Sequence, residues 1–124
     1  MAISDSDTIV VSGLKNTAWI NSAATTNATL VYAGSCRLYG GTLHNKSATA
    51  NWLKLYDVAA APTVGTTVPK MAIPMAVGAK VDLGGILEGL VFQNGLAYAI
   101  TGAAADTDTT AVGAGDLRGA LIWK

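Results

Sequence analysis

The most constraining feature of the chain is a pair of apolar runs separated by Gln93-Asn94-Gly95. The first run begins at Gly85 and the second ends at Thr101. Asn-Gly tolerates the positive φ angles of a type I′ turn, whose twist matches that of two paired strands. We therefore predict a β-hairpin over residues 85–101, with the other strands added around it.

Short runs rich in β-branched and aromatic residues recur along the rest of the chain, bounded by glycine, proline or asparagine. They are Thr8–Ser12, Thr17–Ile20, Ala28–Ala33, Cys36–His44, Thr49–Asp57, Val68–Pro74, Ala79–Leu83 and Ala120–Trp123. Turn signals about every 8–12 residues are the pattern of an all-β sandwich or barrel. The 124 residues predict a single domain, residues 8–124, preceded by a polar flexible arm, residues 1–7.

Two of these runs contain residues that disturb a strand. The prolines of Val68–Pro74 exclude a central position in a sheet, so we predict an edge strand there. Gly40-Gly41 lies in the middle of Cys36–His44, where paired glycines mark a bulge or a close approach of two backbones.

The composition points to a covered surface. Only 13% of the residues are charged, and eight basic residues balance eight acidic ones. Typical soluble domains have about 25% charged residues, and a neutral, charge-poor surface protects a lone monomer poorly against association. We therefore expect a homo-oligomer or a larger assembly. The alternative is a monomer whose surface is rich in Thr, Ser and Asn.

Several partner classes are not expected. The basic residues are scattered singly along the sequence, whereas phosphate binding needs clustered Lys and Arg, so we expect no nucleic acid. The longest apolar stretch, Met71–Ala79, is interrupted by Pro74 and is too short to cross a bilayer, so we expect no membrane. The first residues lack the basic and apolar regions of a secretory signal. The single cysteine, Cys36, fits a reducing cytosol, and we predict that it is buried.

The titratable residues predict neither catalysis nor a metal site. His44 is the only histidine, and we predict that it is exposed before a turn at Asn45. Asp106-Thr107-Asp108 offers alternate carboxylates, but the glycine and closing glutamate of an EF-hand are missing. We expect these aspartates to accept backbone N–H groups in a solvated loop. Asp82 and Glu88 could form an acid–base pair, but Glu88 is predicted to point outward from a strand. We therefore expect no enzyme, no cofactor and no metal.

One strand is predicted to carry a contact surface. In Thr49–Asp57, the two-residue period places Leu53 and Leu55 on the core face. Trp52, Lys54 and Tyr56 then share the opposite face. Two aromatic rings beside a lysine stem suit a protein interface or a platform for stacking sugars. The remaining interpretation is that a second sheet packs over this face.

Two stretches resemble a known class of proteins. One is Leu38–Ser47 followed by Trp52–Asp57, and the other is Gly89–Thr101 followed by Asp106-Thr107-Asp108. They are similar to small virion proteins of tailed bacteriophages, of the head-decoration or cement type, over roughly the C-terminal two-thirds of the chain. Such proteins are β-sandwiches, often jelly rolls, and form trimers or dimers on the outside of the capsid. They have no catalytic residues to carry over. Related patterns also occur in phage tail and fibre proteins.

The resemblance implies a non-enzymatic virion structural protein, assembled in the host cytoplasm, that decorates and stabilises a phage capsid by bridging subunits of the major capsid protein. The alternative is a tail or fibre binding module that recognises a host surface glycan. An arm of this kind binds by adding a strand to the edge of a neighbour's sheet. The residues that we expect at the interface are Ile3, Ser4, Asp5 and Asp7 of the arm together with Trp52, Lys54 and Tyr56.

Overall fold

The computed structural model describes residues 14–124. In this part of the chain, nine strands and one helical turn follow each other. They are β1 (Asn16–Asn21), β2 (Thr29–Ala33), β3 (Cys36–Asn45), β4 (Asn51–Asp57), β5 (Met71–Met75), β6 (Lys80–Asp82), α1 (Gly84–Leu87), β7 (Leu90–Phe92), β8 (Gly95–Thr101) and β9 (Leu117–Trp123). The strands form two antiparallel sheets, so the prediction of an all-β sandwich is confirmed. The predicted strand Thr8–Ser12 lies outside the described residues.

The two sheets interleave strands that are distant in sequence. The first sheet has the order β1-β9-β3-β6. β6 and β7 pair with the same edge of β3: β7 pairs with the beginning of β3, and β6 pairs with its end. The second sheet has the order β2-β8-β4-β5. The predicted edge strand is therefore confirmed as β5, because Pro74 has no N–H to donate to a second neighbour.

The core lies between the sheets and follows from the two-residue alternation of the strands. Leu53 and Leu55 of β4 are fully buried, as predicted. Other members of the core are Ile20, Leu38, Leu43, Ile73, Phe92, Leu96, Ile100, Leu117 and Leu121. Each such side chain stabilises the fold by about 1.5–3 kcal/mol. Cys36 is buried as predicted, and this burial, followed by the nearby charge of Asp57, raises the pKa of its thiol.

The predicted hairpin over residues 85–101 is wrong. β7 pairs with β3 in the first sheet, whereas β8 pairs with β2 and β4 in the second sheet, so the chain crosses between sheets at Gln93-Asn94. Neither Asn94 nor Gly95 has the positive φ of a type I′ turn. Instead, the Asp57 carboxylate accepts hydrogen bonds from the backbone N–H groups of residues 93, 94 and 95, at 3.1, 2.7 and 3.3 Å. A carboxylate from β4 therefore shapes the crossover.

The two Gly-Gly pairs of the chain lie in different kinds of local structure. The β3–β9 register shifts between Leu38 and Gly40, which confirms the predicted irregularity at Gly40-Gly41. Gly84 and Gly85 stand where the predicted hairpin would begin, but they form the start of α1, and the Asp82 carboxylate accepts the Gly84 N–H at 3.0 Å. Between residues 14 and 124, no helix has the length and apolar character needed to cross a membrane.

Candidate functional site

The outer face of β4 is covered, not exposed. Lys54 and Tyr56 have no exposed surface, and Trp52 is half-buried. Val58 and Val64, from the loop after β4, pack against Tyr56. The prediction of an exposed contact surface or sugar platform is therefore wrong for Lys54 and Tyr56, whereas Trp52 keeps part of its surface exposed. Loop residues, and not a second sheet, pack over Lys54 and Tyr56.

The loop between β8 and β9 is fastened over the same face. Lys54 Nζ donates a hydrogen bond to the carbonyl oxygen of Ala105 at 2.5 Å. The Asp108 carboxylate accepts the backbone N–H groups of Ala103 and Thr110, each at 3.1 Å. Burial alone would raise the pKa of Asp108, but the hydrogen bonds from Thr110 and Ala103 and the charge of Lys54 lower it. The expected capping of backbone N–H groups is thus confirmed for Asp108.

Tyr56 contributes a buried hydroxyl with no hydrogen-bond partner among residues 14–124. Its ring lies on the small side chains of Ala97 and Ala99 from β8. Burial, followed by the negative charge of Asp106, raises the pKa of the Tyr56 phenol. An unsatisfied buried hydroxyl costs about 1–3 kcal/mol, so this hydroxyl weakens the packing it belongs to.

The arm predicted at the interface lies outside the described residues. Its members are Ile3, Ser4, Asp5 and Asp7. The described part begins at the exposed Leu14, and the Lys15 ammonium lies 4.7 Å from the centroid of the Tyr39 ring, a cation–π contact. β1, the first strand within residues 14–124, is an edge strand of the first sheet there.

The outer face of the first sheet carries an open aromatic side chain. Trp19 of β1 is 81% exposed, although tryptophan is highly buried on average. Its neighbours Ala18 and Ile20 pack toward the core, so the two-residue period of the strand turns Trp19 outward. Tryptophan is enriched at interfaces, so an exposed indole on a sheet face is a candidate contact point.

The strand register places four exposed polar side chains in one row across this face. Asn21 pairs with Arg118, Arg118 pairs with His44, and His44 pairs with Lys80. Directly opposite residues have Cβ atoms about 4.5–5.5 Å apart. The predicted exposure of His44 is confirmed. Two of the basic residues that are scattered singly in the sequence, Arg118 and Lys80, are thus brought to either side of His44, a grouping that linear spacing did not show.

A groove of about 520 Å³ lies between Trp19 and this row. Its floor is lined by small residues, Gly41, Gly119 and Ala120. Gly41 has a φ of +135° and Gly119 a φ of +156°, where side chains are strained. A Cβ on Gly119 would also collide with the carbonyl oxygen of Thr42. The two glycines therefore let β3 and β9 approach closely and leave the floor flat.

The groove offers binding groups rather than a set of reacting groups. Its lining residues include Arg118, Lys80, His44 and Trp19, and no Asp or Glu of residues 14–124 is among them. The arrangement can hold a ligand that has one negative group and one apolar face. Among the described residues, 14–124, no group of three or more His, Cys, Asp or Glu side chains could hold a metal ion.

Sequence reasoning missed this groove because its walls come from opposite ends of the chain. Trp19 lies near the start of the described residues, and Ile122 lies near the end. The alternation of Trp19 with Ala18 and Ile20 was a local signal for an outward indole. The comparisons add no further information, since no family model, curated protein or solved structure matches this chain.

Proposed function

We propose that this chain is a non-enzymatic virion protein that decorates and stabilises a phage capsid by bridging neighbouring shell subunits. It acts as a dimer or trimer, without a cofactor, on the major capsid protein, and it is assembled in the host cytoplasm. The resemblance of two stretches to decoration proteins, the β-sandwich fold and the charge-poor composition support this proposal. The arm, residues 1–7, makes the contact with the shell.

The edge of β1 is the observation that carries the proposal. Natural proteins protect sheet edges with prolines, charges, bulges or very short strands. β5 has Pro74, β2 has a register shift, and β6 and β7 have three residues each. β1 has six residues, no proline and no charge, and it pairs only with β9 within residues 14–124. Such an edge is suited to pairing with another chain.

The proposed mechanism is thermodynamic. A protein that binds only the assembled shell stabilises that state by mass action. An oligomer that binds several shell subunits together multiplies a modest contact without forming any new one. We also infer that the sandwich is a jelly roll, because β1 lies beside β9 in one sheet and β2 lies beside β8 in the other, so the two ends of the chain run side by side.

Sedimentation with shells of the virus that encodes the chain tests the proposal. The full chain is expected to sediment with capsids in many copies. Deleting residues 1–7 is expected to leave the circular dichroism spectrum unchanged and to reduce the bound fraction. Binding of the truncated chain equal to that of the full chain would refute the role of the arm, and no binding of either would refute decoration.

A second candidate function is a tail or fibre module that recognises a host surface glycan. The exposed Trp19 beside polar side chains favours it, in place of the half-buried Trp52 and the buried Tyr56. Copy number in purified virions separates the two functions. Hundreds of copies indicate decoration of the shell, and a few copies indicate a tail component.

A further inference from the structure

We propose that the groove beside Trp19 binds a sugar residue that carries a carboxylate, such as a uronic acid or sialic acid unit of a glycan. This site goes beyond the structural role proposed above. It uses side chains on the outer face of the first sheet, whereas assembly uses the arm and the backbone edge of β1.

One end of the groove is built for a carboxylate. Arg118 stands between Asn21 and His44 in the cross-strand row, and Lys80 follows on the far side of His44. The guanidinium group matches a carboxylate in a two-point hydrogen-bonded geometry. The ion pair found within residues 14–124 joins Lys70 to Asp57, so neither Arg118 nor Lys80 is neutralised by a carboxylate there.

The other end of the groove suits the ring of the sugar. Trp19 lies two residues before Asn21 on β1, roughly 6.6 Å along the strand, a separation that one pyranose ring with its carboxylate bridges. The negative face of an indole attracts the weakly positive C–H groups of a saturated ring. Gly41 and Gly119 raise no side chain from the floor, so a flat ring can approach the sheet closely.

The geometry favours an acidic sugar over an acidic peptide or a nucleic acid. A peptide strand binds by pairing with free backbone groups. The floor of the groove is formed by β3 and β9, whose two edges are both paired, and the free edge of β1 lies at the side of the sheet and not on this floor. A single nucleic-acid strand requires cations along its length. Here the cations form one row at one end of the groove, opposite the exposed Trp19. One charged end and one apolar end match a single acidic sugar residue.

Titration calorimetry on the full chain tests the site, with trigalacturonate and sialyllactose as acidic probes. Methyl-esterified trigalacturonate and lactose are the matched neutral probes. We expect saturable binding of at least one acidic probe and at least about tenfold weaker binding of its neutral counterpart, because the charged hydrogen bonds are lost. Trp19→Ala and Arg118→Gln are each expected to weaken binding about tenfold or more. The charge control is Lys124→Gln, roughly 20 Å along β9 from Arg118, which is expected to leave binding unchanged.

A shift of the Trp19 indole N–H resonance on titration, absent with the neutral probes, is the expected spectroscopic sign. No saturable binding of either acidic probe would overturn the proposal. Equal affinity for acidic and neutral probes, or unchanged affinity in the Arg118→Gln chain, would also overturn it. Failure here is separable from failure of the decoration proposal, because Arg118→Gln, on the inner strand β9, is expected to leave sedimentation with capsids unchanged.

Discussion

Asp57→Asn is the substitution whose effect the structure predicts most closely. The carboxylate of Asp57 accepts three backbone N–H groups at the crossover, but the bond to Gly95 at 3.3 Å is too long to count fully. A hydrogen bond to a charged group contributes about 1.5–3 kcal/mol when buried. The Asp57 side chain is 20% exposed, and the Lys70 ammonium 3.9 Å away is 37% exposed, so the ion pair adds little.

We therefore expect Asp57→Asn to lower the free energy of unfolding by about 2 kcal/mol at neutral pH. The amide retains one acceptor oxygen, but its NH₂ group faces backbone N–H donors. Urea unfolding followed by circular dichroism measures the difference. Asp106→Asn is the control, because Asp106 is exposed, and a change of less than about 0.5 kcal/mol is expected there.

The difference between the wild-type chain and the Asp57→Asn chain should depend on pH. Burial alone would raise the pKa of Asp57, but the N–H groups of Asn94, Gln93 and Gly95 and the charge of Lys70 lower it. A carboxylate with a lowered folded pKa stabilises above its unfolded value of about 3.9, and the stabilisation is lost as the pH falls through the folded pKa. The two chains should therefore converge below about pH 4. A difference that persists unchanged into acid, or that is absent at pH 7, would refute this reasoning.

Two further substitutions probe the packing. Tyr56→Phe removes a buried hydroxyl that has no hydrogen-bond partner in the described residues. Thermal unfolding should therefore show a stability equal to that of the wild type or up to about 1 kcal/mol above it. A loss of more than about 1 kcal/mol would mean that the hydroxyl has a partner. Gly119→Ala places a Cβ against the Thr42 carbonyl at a positive φ, so it should cost about 3 kcal/mol or more or prevent folding. Gly85→Ala is its control, since a Cβ there meets open space and should leave the stability unchanged. Similar losses of stability in the two variants would contradict the close approach of β3 and β9 at Gly119.

Much of the strand content could be predicted because it is local. β-Branched and aromatic runs predicted β1, β2, β3 and β4 close to their observed bounds, whereas β9 begins three residues before its predicted start at Ala120. The pairing of strands depends on distant residues and could not be read in the same way. Gly95 looked like a turn residue, but it is needed because a Cβ there would collide with the Val58 carbonyl oxygen. The carboxylate that shapes the crossover belongs to Asp57, far away in sequence.

The prediction of a contact surface on β4 was wrong for a related reason, and the groove at Trp19 was missed for the same reason. The alternation in β4 correctly separated Leu53 and Leu55 from Lys54 and Tyr56, but it could not show that loops fold back over the second face. The Lys54 ammonium donates a hydrogen bond to Ala105 in the loop after β8, a contact that no local sequence pattern indicates. The groove at Trp19 likewise exists only because β9, at the end of the chain, lies between β1 and β3.

The central claim is that the chain assembles through the unprotected edge of β1, and the mass of the purified protein in solution tests it most directly. Light scattering behind a sizing column should give a dimer or trimer for the full chain. Thr17→Lys places a charge on the edge strand and should shift the mass to that of a monomer. The same change at the exposed loop residue Thr66 should leave the mass unchanged. A stable monomer for the full chain, or an oligomer that persists in Thr17→Lys, would contradict the assembly role of β1.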